Sequence, residues 1–237
     1  MVSKKKRLAI DNSSLNEIKP ITETQKEVFA QYKAGQNLFL YGVAGTGKTF
    51  VALYNALKDV LDPKSPRERV YIVRSLLPTR DIGFLPGDEE DKSYLYQVPY
   101  QNMVRFMFQQ PDDRSFDQLY NNLRNQGTID FLSTSFLRGI TIDNGVIIVD
   151  ECQNLNFHEL DTIMTRVGQD TRVIFAGDIQ QTDLTKTNDR NGILDFVNIM
   201  NQMPEVDCIE FGIPDIVRSG LIKSYLINKI KLGLHYE

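Results

Sequence analysis

The sequence has 237 residues, of which 41% are hydrophobic and 24% are charged. These values are typical of a globular protein and exclude a chain that is disordered throughout. The 27 basic and 31 acidic residues give a formal net charge of −4, which argues against a uniformly positive surface for indiscriminate binding to duplex nucleic acid.

Cysteine content and hydrophobicity indicate a cytoplasmic protein. The two cysteines, Cys152 and Cys208, cannot form a disulfide framework, and two histidines are too few to favour a zinc site of His and Cys. The longest apolar run, Phe50 to Tyr54, has five residues, whereas a membrane helix needs about 20. We therefore expect no secretory leader and no membrane partner.

The first predicted feature along the chain is a polar, basic segment, residues 1–19, which we expect to be a flexible N-terminal arm. Residues 20–237 are predicted to form a single domain. This domain begins with a helix from Thr22 to Ala34, in which Val28 and Phe29 contribute to an apolar face.

Short apolar segments alternate with helical segments over the rest of the chain. Several are apolar on both faces, as strands are when helices cover both sides of a parallel sheet. The predicted strands are Asn37–Tyr41, Val70–Arg74, Thr128–Leu132, Val146–Val149, Arg172–Ala176 and Val206–Phe211. This alternation predicts an α/β fold with a central, mostly parallel sheet between layers of helices.

One segment interrupts the alternation of strands and helices. Residues 76–126 are predicted to be an insertion of loop and helix, and several Tyr, Phe and Met side chains occur between Tyr94 and Gln110. These side chains either pack onto the core or form a contact surface for a partner or nucleic acid, and the sequence leaves both open.

A phosphate-binding loop is predicted between the first strand and the helical segment Thr49 to Asp59. The sequence fits GxxxxGK[ST] at every fixed position, with the residues Gly42, Val43, Ala44, Gly45, Thr46, Gly47, Lys48 and Thr49. The glycines let successive backbone N–H groups surround phosphate oxygens, and the start of the next helix adds partial positive charge. Lys48 is expected to reach the β- and γ-phosphates, and the Thr49 hydroxyl to ligate Mg²⁺.

Two adjacent carboxylates follow the predicted strand 146–149. Asp150 is expected at the carboxyl edge of the sheet beside the phosphate loop, where it can hold Mg²⁺ through water. Glu151 is expected to act as a general base on an attacking water, which favours hydrolysis. The predicted cofactor is therefore Mg²⁺, and the predicted substrate is a nucleoside triphosphate.

A polar segment, Gly177 to Gln181, follows the next predicted strand at the same edge. Gln180 or Gln181 can sense the γ-phosphate or the attacking water. The chain lacks the Asn-Lys-x-Asp sequence that reads guanine, so ATP is the better candidate for the substrate. Gln25, upstream of the loop, either pairs with adenine through its amide or is a surface side chain of the first helix.

An arginine is expected to stabilise the charge that gathers on the γ-phosphate in the transition state. The candidates are Arg74, Arg138, Arg166 and Arg218. Each of them, taken alone, is better explained as a structural or surface arginine.

The motifs, taken in chain order, resemble those of PhoH-like proteins, the phosphate-starvation-inducible ATPases. The segments that carry the resemblance are Gly42–Thr49, Gly83–Asp88, Arg138–Thr141, Asp150–Asn154, Thr165–Gly168, Gly177–Leu184 and Asp215–Ser219. The resemblance covers roughly residues 20 to 230, and the short form looks like the versions carried by bacteriophages. Two positions depart from the family pattern, since Cys152 replaces the usual Ala and Ser219 stands where His is common.

This resemblance implies a RecA-like P-loop NTPase domain, similar to the first motor domain of superfamily 1 helicases. It implies that Gln181 is the sensing glutamine and that Gln25, Arg138 and Arg218 belong to the nucleotide site. It also implies that Arg166 can reach a neighbouring subunit's site. Related proteins act on RNA when fused to a PIN nuclease domain, and this sequence shows no such domain, so nuclease activity is not expected.

The resulting hypothesis is a Mg²⁺-dependent ATPase that works as a homo-oligomeric ring, with a hexamer as one option, on or with RNA or single-stranded DNA. Lys48, Glu151, Gln181 and Arg218 would carry catalysis. The alternative is a nucleotide-gated binding module with negligible turnover, whose output is a conformational change. A small-molecule kinase is disfavoured, because Glu151 and the segment 177–181 suit hydrolysis and sensing.

Overall fold

A computed structural model describes residues 10–74, 89–134, 137, 139–179 and 187–232. Its helices are α1 (Glu23–Ala34), α2 (Lys48–Val60), α3 (Glu89–Phe108), α4 (Asp113–Asn125), α5 (Phe157–Met164), α6 (Thr187–Met200) and α7 (Gly220–Lys231). Its strands are β1 (Asn37–Gly42), β2 (Arg69–Arg74), β3 (Ile129–Leu132), β4 (Gly145–Asp150), β5 (Arg172–Gly177) and β6 (Val206–Phe211). Each of the predicted strands is confirmed to within one residue at either end.

The strands form one parallel sheet in the order β3-β2-β4-β5-β1-β6. Strand β5 lies between β1, which leads into the phosphate loop, and β4, which ends at Asp150. All carboxyl ends meet at one edge, where the register pairs Tyr41 with Gly177 and Asp150 with Ala176. The residues that follow β1, β4 and β5 are therefore neighbours in space.

The sheet separates two apolar layers because successive strand residues point to opposite faces. Leu38 and Leu40 of β1 lie in the layer with α1 to α4, whereas Phe39 lies in the layer with α5 and α6. This is the predicted three-layer α/β architecture. Among the described helices, none has both the length and the apolar content needed to cross a membrane.

The N-terminal segment differs from the expectation of a flexible arm over the half that the structure describes. The Asn12 N–H donates to the Leu61 carbonyl at 3.1 Å, and the Asn16 N–H donates to the Met107 carbonyl at 2.8 Å. Three apolar side chains also pack against the core: Ile10, Leu15 and Ile18. These scattered apolar residues anchor the segment from Ile10 onward, despite its polar composition.

The insertion contributes α3 and α4 to the first apolar layer. Tyr100, Val104 and Met107 are buried there, together with Phe116 of α4. Phe106 differs, because 68% of its surface is exposed. Of the two interpretations of these aromatic residues, core packing therefore describes most of those in the described part of the insertion.

Candidate nucleotide-binding site

The phosphate loop joins β1 to α2 and lies tightly against β6. Gly42 has a φ of +113°, which L side chains rarely adopt, and a Cβ at this position would overlap the Phe211 carbonyl oxygen. The Val43 N–H donates to the same carbonyl at 2.9 Å, and the Thr46 hydroxyl donates to the Val43 carbonyl at 2.9 Å. The loop is therefore held in shape by its own contacts, and its first position requires glycine.

Lys48 begins α2, and its ammonium group points back into the loop. Its Nζ donates to the carbonyls of Gly42 at 2.7 Å and Val43 at 2.9 Å. Burial lowers the pKa of Lys48, and nearby carboxylates, Asp178 foremost, offset this only in part. A largely buried cation beside the amides of a helix N-terminus is suited to bind phosphate oxygens.

A hydroxyl and a carboxylate meet between α2 and β4. Thr49 Oγ1 donates to Asp150 Oδ1 at 2.7 Å. Asp150 is 6% exposed, and its burial, together with the charge of Glu151, raises the pKa of its carboxyl. Two hard oxygen donors beside a second carboxylate fit Mg²⁺, because the cation offsets the cost of a buried negative charge. Thr49 and Asp150 are therefore the residues that could hold the metal.

Glu151 directly follows β4 and has a left-handed backbone conformation, with a φ of +52°. Its Oε2 accepts a hydrogen bond from Gln153 Nε2 at 2.6 Å, and Gln153 Oε1 accepts one from the Asp178 N–H at 3.1 Å. The Gln153 amide thus connects the carboxylate after β4 with the chain after β5. Sequence reasoning assigned no role to Gln153, although it lies in the segment Asp150–Asn154 and only two residues beyond Glu151.

A second residue that sequence reasoning missed comes from the insertion. Tyr100 of α3 is 1% exposed, and its hydroxyl donates to Asp150 Oδ2 at 2.6 Å. The two residues are 50 positions apart, and no local sequence signal pairs a tyrosine with so distant a carboxylate.

Gln25 is 4% exposed on α1 and lies against the phosphate loop. Its Nε2 donates to the Thr46 carbonyl at 3.1 Å, and its Oε1 accepts from the Ile21 N–H at 3.0 Å. The amide therefore links the chain before α1 to the loop, so Gln25 is not a surface side chain.

The candidate arginines lie in different places. Arg218 lies beside the loop, since a Cβ added to Gly45 would be 3.0 Å from Arg218 Cγ, and the preceding Val217 N–H donates to the Gly45 carbonyl at 3.1 Å. Arg74 ends β2, next to Asp150 in the sheet register. Arg166 follows α5 and is not among the described residues that line the groove over the loop. Arg138 and Gln181 lie outside the described residues.

A groove of about 1240 Å³ runs over the phosphate loop. Asp150, Glu151 and Asp178 line one part of it, and the other parts include Arg218 and apolar side chains. The larger apolar side chains of the lining are Ile18, Ile21, Phe29, Phe50, Met103 and Phe106. Together with the sheet order, the loop and the carboxylate after β4 confirm a RecA-like P-loop NTPase fold.

Comparison with known proteins supports this description. A family model described as PhoH-like protein matches residues 17–229. The chain is 31% identical to protein PhoH2 of Bacillus subtilis (strain 168) over 196 residues, which cover 81% of this chain and 43% of that protein. It is 30% identical to protein PhoH of Escherichia coli (strain K12) over 221 residues, which cover 92% of this chain and 60% of that protein. The chain thus spans about half the length of these relatives.

Solved helicase structures share parts of this arrangement at low sequence identity. The Hef helicase domain of Pyrococcus furiosus is 11% identical, with a TM-score of 0.45 and coverage of 81% of this chain and 39% of that chain. Pif1 of Bacteroides sp in complex with ADP-AlF4 is 15% identical, with a TM-score of 0.43. The match covers 90% of this chain and 46% of that chain.

Proposed function

The chain belongs to the PhoH-like protein family, and on this premise we propose that it binds ATP with Mg²⁺ and hydrolyses it. The observation that carries the proposal is the Thr49–Asp150 hydrogen bond of 2.7 Å, formed beside Lys48 and Glu151 at one edge of the sheet. The loop amides, Lys48 and Thr49 are enough to bind a nucleotide. The added Glu151 gives the site a group that can accept a proton from water.

In the proposed reaction, the loop amides and Lys48 bind the phosphates, and Thr49 and Asp150 hold the metal. Mg²⁺, when bound, supplies positive charge to the phosphate oxygens. Glu151 accepts a proton from the water that attacks the γ-phosphorus, and Arg218 places its charge near the phosphates from within the same chain.

The remaining predicted site residues also receive roles in this proposal. Gln25 acts on the nucleotide side of the loop through Thr46. Its two hydrogen bonds use one N–H and one lone pair of the amide, so a second N–H and a second lone pair remain for contact with adenine. Gln181 as the γ-phosphate sensor and Arg138 as a nucleotide contact rest on the family resemblance. Arg166 is proposed to act at the site of a neighbouring subunit.

The first test measures ATP binding and phosphate release by four proteins. Lys48→Ala is expected to lose nucleotide binding, because it removes the ammonium group that lies within the phosphate loop. Glu151→Gln is expected to bind ATP normally and to turn over about 100-fold more slowly, because the amide cannot accept the proton. Glu27→Gln, an exposed position on α1, serves as the matched control beside the wild type. Equal phosphate release by all four would refute the proposal.

We also propose that the ATPase acts on or with RNA or single-stranded DNA as a homo-oligomer. The net charge of −4 supports a local contact surface or a ring pore rather than a uniformly basic face. If this is right, single-stranded nucleic acid stimulates hydrolysis, and its binding weakens steeply with salt. Hydrolysis that neither polymer changes would exclude the nucleic-acid part of the proposal.

A further inference from the structure

The insertion reaches the proposed metal ligand through one side chain. The Tyr100 ring packs edge-on against Phe131 of β3, with 5.4 Å between ring centroids, and 1% of the residue is exposed. A buried phenol needs a hydrogen-bond partner, which a backbone carbonyl can supply in most cores. Here the partner is Asp150 Oδ2 at 2.6 Å, so this hydrogen bond joins α3 to the end of β4.

The two oxygens of Asp150 have different donors. Thr49 Oγ1 donates to Oδ1 at 2.7 Å, and the Tyr100 hydroxyl donates to Oδ2 at 2.6 Å. Thr49 is itself a proposed metal ligand, and its hydroxyl has to serve the metal when nucleotide is bound. Tyr100 is not among the described residues that line the groove, so we do not expect its hydroxyl to contact the nucleotide.

We propose that Tyr100 is a positioning residue for the metal site: its hydroxyl holds Asp150 Oδ2 and thereby keeps Oδ1 directed towards Thr49 and the metal. The proposal rests on the ATPase function proposed above and gives the insertion a part in it. Hydrogen bonds from a second residue to a ligating carboxylate fix its orientation and strengthen metal binding.

The same helix also contributes to the groove wall. Met103, three residues after Tyr100, lines the groove, as does Phe106. Because residues three apart share a helix face, α3 touches both the proposed metal ligand and the wall of the nucleotide groove. A shift of α3 would therefore change the position of the Asp150 carboxylate.

The test compares two buried tyrosines that each donate to an aspartate. Tyr100→Phe removes only the hydroxyl at the site, and Tyr32→Phe is the matched control. Tyr32 is 5% exposed on α1, and its hydroxyl donates to Asp59 Oδ2 at 2.8 Å. Calorimetric titration with ADP, in EDTA and then in Mg²⁺, separates metal-dependent from metal-free binding.

For Tyr100→Phe we expect metal-free ADP affinity equal to wild type and a gain in affinity on adding Mg²⁺ that is about tenfold smaller. The Mg²⁺ concentration for half-maximal ATP hydrolysis should rise by a similar factor, while Tyr32→Phe matches the wild type in both measurements. The metal-free affinity also shows that the variant is folded.

Three results would overturn the proposal. The first is an equal effect of Mg²⁺ on ADP affinity in Tyr100→Phe and the wild type, with ATP hydrolysis intact in both. This result would refute the positioning role alone. The second is an equal loss in Tyr32→Phe, or a loss of metal-free binding in Tyr100→Phe, which makes the hydroxyl a general structural group. The third is a wild type whose ADP affinity does not rise when Mg²⁺ is added and which does not hydrolyse ATP. This result would refute the proposed function as well.

Discussion

Gln153 shows how a single amide can organise a site built from separate strands. Its Nε2 donates to Glu151 at 2.6 Å, and its Oε1 accepts from the Asp178 N–H at 3.1 Å. A Cβ on Gly177 would overlap Gln153 Oε1, so the glycine that ends β5 leaves room for this contact. Gln153 therefore fixes the proposed general base relative to the segment that carries the predicted sensor.

We predict that Gln153→Ala slows ATP hydrolysis about tenfold with little change in the KM for ATP. Glu151 would lose the donor that orients it, whereas the loop and Lys48 would still bind the phosphates. Steady-state kinetics measures both parameters, and Gln202→Ala, at an exposed position in the turn after α6, is the matched control. A rise in KM with an unchanged kcat would contradict the assigned role.

The sequence allowed some site residues to be predicted, and the reason is local. The GxxxxGK[ST] spacing identifies Lys48 and Thr49, and a strand that ends in two carboxylates identifies Asp150 and Glu151. The structure brings these four together at one sheet edge. Tyr100 could not be predicted in the same way, because its contact with Asp150 depends on how α3 packs.

At the level of elements, the strands were predictable because each is a short run rich in apolar residues, and several of them are buried on both faces. The pattern is weaker in the insertion, where α3 mixes buried Tyr100 with exposed Phe106 and includes Pro99. The bounds of α3 and α4 could not be predicted from the sequence, because these helices depend on packing against β3 and α2. The docked N-terminal segment was missed for a similar reason, since its few apolar residues are separated by polar ones.

A charged cluster holds α1, α2 and the loop after α2 together. Asp59 near the end of α2 accepts hydrogen bonds from Tyr32 at 2.8 Å, Ser65 at 2.6 Å and Arg67 at 2.6 Å. Burial alone would raise the pKa of Asp59, but the bonds from Arg67, Ser65 and Tyr32 outweigh it and hold this pKa below its usual value. The ionised carboxylate therefore stabilises the fold.

We predict that Asp59→Asn lowers the free energy of unfolding by about 2 kcal/mol at neutral pH. Because the folded pKa lies below the unfolded value of about 3.9, the contribution is complete above that pH. This contribution is lost as the pH falls through the folded pKa. The free energies of unfolding of the wild type and the variant should therefore become equal in strongly acidic buffer. Urea unfolding at a series of pH values measures this difference.

The matched control is Asp195→Asn, at an exposed position on α6. Its free energy of unfolding should differ little from that of the wild type, because the side chain is exposed. The prediction would be wrong if the difference in free energy of unfolding between Asp59→Asn and the wild type stayed constant across the acidic range. The side chain would then stabilise the fold through its shape and not through its charge.

On the scale of the whole molecule, α7 exposes apolar side chains within the part of the chain that the structure describes. None of its residues is buried, and Leu221 and Tyr225 are 83% and 60% exposed. The helix nevertheless lies at the nucleotide site, since Leu226 Cδ1 would be 3.4 Å from a Cβ on Gly45. In the proposed homo-oligomer, a second copy of the chain would cover this apolar face, which would place a subunit contact beside the phosphate loop.

We therefore predict that the wild type has a solution mass above that of a single chain when a non-hydrolysable ATP analogue is present. The double variant Leu221→Ser/Tyr225→Ser should shift this mass towards a single chain, because it removes apolar area from the proposed contact. Leu194→Ser, at a 52% exposed leucine of α6, is the matched control and should assemble normally. Light scattering coupled to size-exclusion chromatography measures all three, and a wild type that stays a single chain with the analogue would exclude the assembly.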